Sequence, residues 1–213
     1  KVALPHWRDR ALTLRRFPEG LDGEEFFQKH APQNRPEWVE TVTLPAEQGE
    51  VCYLLAQDPP TLAWLANLSA LELHLSPARK DAPRHPDRVV FDLDPSSDDF
   101  GPVQMAAHRL RTLLTEIGLE PKVQTTGSRG LHVVLSISRD YDFDVVHVFA
   151  KAVAARLARA YPDDLTDAQR IAARGEKVFI DYLRNSYGQT SVAPYSLRAK
   201  PGAPVATPVF WDE

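Results

Sequence analysis

One cysteine, Cys52, is all the thiol this sequence holds. An internal disulfide is therefore excluded, and no second cysteine is present to build a zinc site. Cys52 is expected to be a small core residue. Long apolar runs are also missing: nothing approaches the roughly 18 to 20 residues that a membrane span needs. The opening KVALPHWRDR lacks the charged, apolar and small-residue regions of a signal peptide, so a cytoplasmic location and no membrane partner are expected. Basic excess is absent too. A net charge of −4 and a pI near 6.0 mean that the chain as a whole does not attract polyanions. Contact with nucleic acid must be local, at Arg15 and Arg16, Lys29, Lys122 with Arg129, Arg174 with Lys177, or Arg198 with Lys200; each is otherwise a solvated surface charge.

What is present is a mixed α/β pattern without repeats or low-complexity segments. RALTLRRFP alternates as a strand does, and PPTLAWLANLSAL has apolar residues at helical spacing after a proline start. HLSPARKDAPRHPDR reads as a loop or lobe junction. RVVFDLDP is a strand stopped by Pro95, followed by a helix over about 102–117 with Val103, Ala106, Leu110, Leu113, Leu114 and Ile117 on one apolar face. A strand over 122–125, the turn TTGSRG and the strand LHVVLSIS then give a βαβ unit followed by a hairpin. A long helix over about 143–161 directs Val145, Val146, Phe149, Val153 and Leu157 inward. A short helix near 168–173 precedes the strand KVFIDYL, and the Pro- and Gly-rich tail is expected to be irregular.

Side chains at i and i+2 of a strand share a face, so Asp92 and Asp94 in VVFDLDPSS stand side by side and repel unless something positive lies between them. A hard divalent cation answers that need; strand-end acids that cap a helix or meet arginines are the alternative. Asp181 in FIDYLRN is a third acid in an apolar strand, flanked by Lys177 and Arg184. Three such acids fit a two-metal site for phosphoryl or nucleotidyl transfer. TTGSRGLHV offers two glycines, Gly127 and Gly130, the hydroxyls of Thr126 and Ser128, the Arg129 fork and His132. This is either a triphosphate cradle or a plain hairpin connector.

FDLDP, TTGSRGLHV and FIDYLRN, in that order, resemble the three motifs of the polymerase domain of bacterial DNA ligase D, in the archaeo-eukaryotic primase superfamily. LTLRRFPEGLDGEEFFQKHAP and WLANLSALELH resemble the family's upstream segments, so the resemblance runs from about Leu4 to the C-terminus. It implies one domain over 1–213: an N-terminal αβ lobe over about 1–80, then a primase-like core over about 81–213 whose RRM-like sheet is flanked by helices. The implied activity is template-directed nucleotide addition, with ribonucleotides preferred, at DNA ends and gaps in nonhomologous end joining. Two manganese or magnesium ions would sit on Asp92, Asp94 and Asp181. NTPs or dNTPs are the substrates, and DNA ends, primer–templates, Ku and a DNA ligase are the implied partners, at the nucleoid.

Carried over by position, His74 lies near the metals or the incoming nucleotide. Thr126, Arg129 and His132, supported by Gly127, Ser128 and Gly130, bind the triphosphate, and Arg174 and Arg198 direct charge at the active site and its phosphates. Phe26 and Phe27 stack on template bases beside Lys29; core packing is the alternative for the phenylalanines, and a satisfied buried histidine for His74.

Two departures from the family pattern stand out. Arg129 replaces a lysine and keeps the charge. The family's further N-terminal segment, whose lysines grip a downstream 5′-phosphate, is expected to lie outside this chain, and with the acidic pI this predicts modest DNA affinity. Two rival readings are a phosphatase that uses DxD as aspartyl nucleophile, although Pro95 and Ser96 stand where that class has Gly-Thr, and a catalytically silent DNA-end-binding module of the same fold.

Overall fold

The computed structural model describes residues 2–213. In chain order the elements are α1 (Leu4–Trp7), β1 (Leu12–Arg16), β2 (Phe26–Gln28), β3 (Thr41–Pro45), β4 (Glu50–Leu54), α2 (Pro59–Asn67), β5 (Ala70–Leu75), β6 (Arg88–Asp94), α3 (Gly101–Glu116), β7 (Lys122–Thr125), β8 (Leu131–Ser136), α4 (Phe143–Ala160), β9 (Leu165–Thr166), β10 (Val178–Asp181), β11 (Ser191–Val192) and β12 (Pro208–Val209).

The larger sheet has the order β12-β7-β8-β6-β10-β9. Its central strands β7, β8, β6 and β10 are antiparallel and are crossed by α3 and α4, which is the split βαβ arrangement of an RRM-like sheet. The expected βαβ unit thus takes its split form, with β8 between β6 and β7. Alternation within β6 explains the layering. Val89, Phe91 and Leu93 are almost completely buried under the helices, while Arg88, Val90, Asp92 and Asp94 share the opposite face. Val103, Ala106, Leu110 and Leu114 of α3 and Val146, Ala150, Val153 and Leu157 of α4 complete this core. Truncating Leu110 to Ala there would cost about 2–5 kcal/mol.

Two expected core residues face water instead. Ile117 is 54% exposed, because α3 stops at Glu116 and Gly118, at φ +80°, turns the chain away. Val145 is 50% exposed, because the Asp142 cap starts α4 with Phe143, not Val145, pointing inward. The helix expected near 168–173 is only a 3-10 turn at Ile171–Ala173.

The second sheet, β11-β5-β1-β2, packs Leu12, Leu14, Leu73 and Leu75 against Trp7 and Leu65. Its other face carries Thr13, Arg15, Glu72 and His74 and looks toward the acids of β6. β3 and β4 form a hairpin, and Cys52 sits half-exposed on it, not in a core. Arg10 is buried where the two sheets meet, donating to Asp87 at 2.6 Å and to the carbonyl of Pro77 at 3.0 Å.

The tail is more ordered than its composition predicts. Its residues strap the sheets together: Ala193 N–H donates to Leu73 O, Ser196 Oγ accepts from Leu73 N–H, and the Trp7 indole donates to Pro194 O. β12 then pairs with β7, and the Trp211 indole donates to Pro121 O. Among the described residues, no helix is long and apolar enough to cross a membrane.

Candidate active site

Between the sheets lies a cleft of about 600 Å³. Asp92, Asp94, His74, Thr126, Ser128, Arg129, Gly130, His132, Arg174, Arg198, Phe27 and Lys29 all line it. Asp181 stands just behind the lining, on β10 directly across from Asp92 in register. One carboxylate oxygen from each of Asp92, Asp94 and Asp181 lies within 4.8 Å of the others. All-oxygen donors this close suit a hard divalent cation such as magnesium or manganese.

Without a cation the cluster is frustrated. Burial, then the charges of Asp92 and Asp181, push the Asp94 carboxyl up to about 6. Burial also raises Asp181, against the opposing pull of Arg184 and of the Leu183 N–H that donates to it. Burial pushes Asp92 up as well, but His132 together with Arg184 and Arg198 outweighs it and holds Asp92 below the usual carboxylate range. The cluster therefore contains one firmly ionised acid and two that resist ionisation, which is the state a divalent cation relieves.

Three residues that the sequence reading did not assign to the site shape this cluster. Gln124 donates to His132 Nδ1 at 3.1 Å, which leaves the proton on Nε2, 3.4 Å from Asp92 Oδ1. Arg184 Nε lies 3.4 Å from Asp181 Oδ2 and 3.8 Å from Asp92 Oδ2, a resident counter-charge. Glu72 is 1% exposed and faces Arg15 at 3.0 Å, Arg198 at 3.3 Å and His74 Nε2 at 3.6 Å, and it accepts the Ala199 N–H at 2.9 Å. Burial pushes the Glu72 carboxyl up, but His74, the Ala199 N–H, Arg198 and Arg15 together bring it down to about 2. The signal for Glu72 was its position two residues before His74 on one strand.

The glycine-containing turn is built differently from the sequence picture. Thr126 is buried, and its hydroxyl donates to Gly130 O while accepting the N–H groups of Ser128 and Gly130. Those donors turn into the loop, so Thr126 shapes the turn. The glycines answer close approach. A Cβ on Gly130 would meet Leu93 O at 2.5 Å, and Gly127, at φ +64°, leaves no room beside Arg198 Cγ and Ala206 N. Three cationic side chains face the cleft from this turn and the strap: Arg129, which pairs with exposed Asp98 at 3.1 Å, Lys200, which donates to Ser128 Oγ, and Arg198, which donates to Thr126 O at 2.6 Å. Arg174 stacks 3.6 Å over Phe179 and donates to the carbonyls of Ala168 and Gln169.

The phenylalanine pair divides. Consecutive strand residues point to opposite faces, so Phe27 lines the cleft, edge-on to His74 at 5.8 Å, while Phe26 turns away against Arg16. Both are exposed, Phe27 by 61%.

Comparison with known proteins agrees with this geometry. The family model described as LigD, primase-polymerase domain, matches residues 1–213. The multifunctional non-homologous end joining protein LigD of Mycolicibacterium smegmatis is 35% identical over all of this chain and 28% of its own length. The bifunctional LigD of Bacillus subtilis is 34% identical over 99% of this chain and 34% of its own. The chain thus spans about a third or less of these relatives. A solved structure, the polymerase domain of Mycobacterium tuberculosis ligase D in complex with DNA, superposes with a TM-score of 0.94 at 34% identity, covering 99% of this chain and 77% of the other. The phosphatase reading has no support left. With a cleft whose acids and basic residues suit phosphate chemistry and a family match over its whole length, the chain belongs to the LigD primase-polymerase domain family, a family of nucleotidyltransferases.

Proposed function

We propose that this domain adds nucleotides, ribonucleotides by preference, to primer termini at DNA ends and gaps during nonhomologous end joining, with a ligase and Ku as partners. The observation that carries the reading is the cluster of Asp92, Asp94 and Asp181 facing Arg129, Arg198, Lys200 and exposed Phe27 across one cleft. The three carboxylates would hold two magnesium or manganese ions. When bound, these ions supply Lewis acidity toward the 3′-hydroxyl and the phosphates.

The chain's own residues have separable tasks. His132, held in one tautomer by Gln124, keeps Asp92 ionised and aimed at the cation position. Arg129, Arg198 and Lys200 meet the negative charge of the triphosphate, where preorganised donors stabilise charge that develops during transfer. Phe27 offers an aromatic face for a template base and Lys29 a charge for the adjoining backbone, a combination that tolerates any sequence. His74, tied through Glu72 to Arg198, would position the nucleotide sugar.

The test is manganese-dependent addition to a primed template, with ribo- and deoxyribonucleotides compared. The wild-type chain should extend the primer and Asp92→Ala should not. Extension by Asp92→Ala at the wild-type rate would overturn the metal assignment, and DNA binding without any addition by the wild type would favour the silent end-binding module.

A further inference from the structure

The cleft face of the larger sheet continues beyond His132. Along β6 this face presents Asp94, Asp92, Val90 and Arg88, and register sets Arg88 beside Ser136 and Val90 in line with Val134 and Lys122. The charge reverses along one strand, since four residues at about 3.3 Å each put Arg88 roughly 13 Å from Asp92. Over the basic end, α1 and the strap leave a concavity of about 130 Å³ walled by His6, Arg88, Lys122, Ser136 and Ser191, with no carboxylate in its lining.

The cations of this concavity are weakly partnered among the described residues: Arg88 has one long ion pair, to an Asp87 oxygen that accepts no hydrogen bond. The Arg88 side chain is only 18% exposed, and its nearest carboxylate is Asp87 Oδ1 at 3.8 Å. Asp87 already accepts from Arg10 and Arg79 through its other oxygen. Among the described residues, the side chains of Arg88, Lys122 and His6 make no hydrogen bond; His6 only tilts against the ring of Tyr195. The unmet charge is felt locally: burial, then Arg88, Arg10 and Lys122, hold His6 below its usual value.

We propose that this concavity is a second anion site that takes a single phosphate group, adjoining the catalytic cleft, with which it shares His132, Ser191 and Val192 as a wall. The volume of the concavity is about 130 Å³. That admits one phosphate, whereas pockets for whole small molecules start near ~300 Å³. The Arg88 fork would take two phosphate oxygens, with Lys122 and Ser136 at the rim. The phosphate comes either from a nucleic-acid backbone laid along the sheet or from a free phosphate ion.

Two titrations on the metal-free chain separate these sources: inorganic phosphate by calorimetry, and a fluorescent primer–template by anisotropy at increasing potassium chloride. Lys122→Ala and Arg88→Gln are compared with wild type, each checked for folding by circular dichroism. A free-ion site predicts wild-type phosphate binding that Lys122→Ala weakens at least about fivefold, since one lost charge contact is worth about 1 kcal/mol or more. A backbone site predicts that each variant lowers the slope of log affinity against log salt by about 0.9. Addition at saturating primer–template should stay at the wild-type rate in both variants. The proposal is overturned if phosphate binding and salt slope are unchanged in the variants. Lys122 is an exposed residue, so its variant decides the matter should Arg88→Gln fail to fold.

Discussion

Replacing Asp94 with Asn should stabilise the metal-free domain while abolishing nucleotide addition. Charges 4.8 Å apart, the outer limit of the acid cluster, repel by about 3 kcal/mol at an effective dielectric of about 20. Burial, with that same repulsion from Asp92 and Asp181, raises the Asp94 pKa from 3.8 to about 6, which corresponds to roughly 3 kcal/mol of destabilisation at neutral pH. Partial exposure screens this, so about 1–3 kcal/mol is expected, or ~2–10 °C in Tm for a chain of this size. Because the folded pKa lies above the unfolded one, the folded state holds the extra proton. The favourable contribution is full below pH 3.8 and is lost as pH rises through about 6. Asn removes that dependence. Urea unfolding in EDTA should therefore show the variant more stable at pH 7.5, with the gap closing toward pH 4. Saturating manganese should reverse the order, since wild type gains binding energy that the variant lacks. A variant less stable than wild type in EDTA at pH 7.5, or a gap independent of pH, would refute the reasoning.

Other outcomes follow from named contacts. Glu72→Gln leaves Arg198 without its buried counter-charge, while Arg15 keeps Glu25, and should cost about 3 kcal/mol by urea titration at pH 6.5, with a raised KM for nucleotide. In wild type the Glu72 contribution is present above pH 4.5 and fades as pH falls toward 2, so acid unfolding should flatten in the variant. Gly130→Ala drives a Cβ to within 2.5 Å of Leu93 O and should lose about 1–3 kcal/mol together with activity, seen in Tm and primer extension. Phe27→Ala should weaken single-stranded template binding by about 1–3 kcal/mol in anisotropy, and Phe26→Ala by less, because only Phe27 faces the cleft.

The sequence revealed those parts of the fold where local pattern and final packing agree. The period-2 run VVFDLD put the acids on one face, and the apolar spacing placed both long helices within a residue of their observed ends. Errors fell at helix ends: Ile117 and Val145 continue an apolar pattern, but capping by Gly118 and Asp142 rotates them to solvent. Cys52 lies partly exposed on the β3–β4 hairpin although Tyr53 and Leu54 beside it are buried, a change of burial along one strand that its residue type does not signal. Within the site, the role of Glu72 and the contact of Arg184 with Asp92 depend on partners far along the chain, whereas Gln124 meets His132 across one hairpin. The two guanidiniums that neutralise Glu72 come from positions 57 and 126 residues away. Such burial of charge is decided by topology, which short-range periodicity does not encode.

The strap has a consequence for how the domain comes into being. Its hydrogen bonds join residues far apart in sequence: Trp7 to Pro194 across 187 positions, and Leu73 to Ser196 across 123. Contacts of such separation close late and slow the search for the native state. On a ribosome, the nucleotide-side wall, including Arg198 and Lys200, is added only after every sheet strand but the edge strand β12 has emerged. Within this domain Asp92 and Asp94 therefore emerge about a hundred residues before the strap that completes the cleft wall.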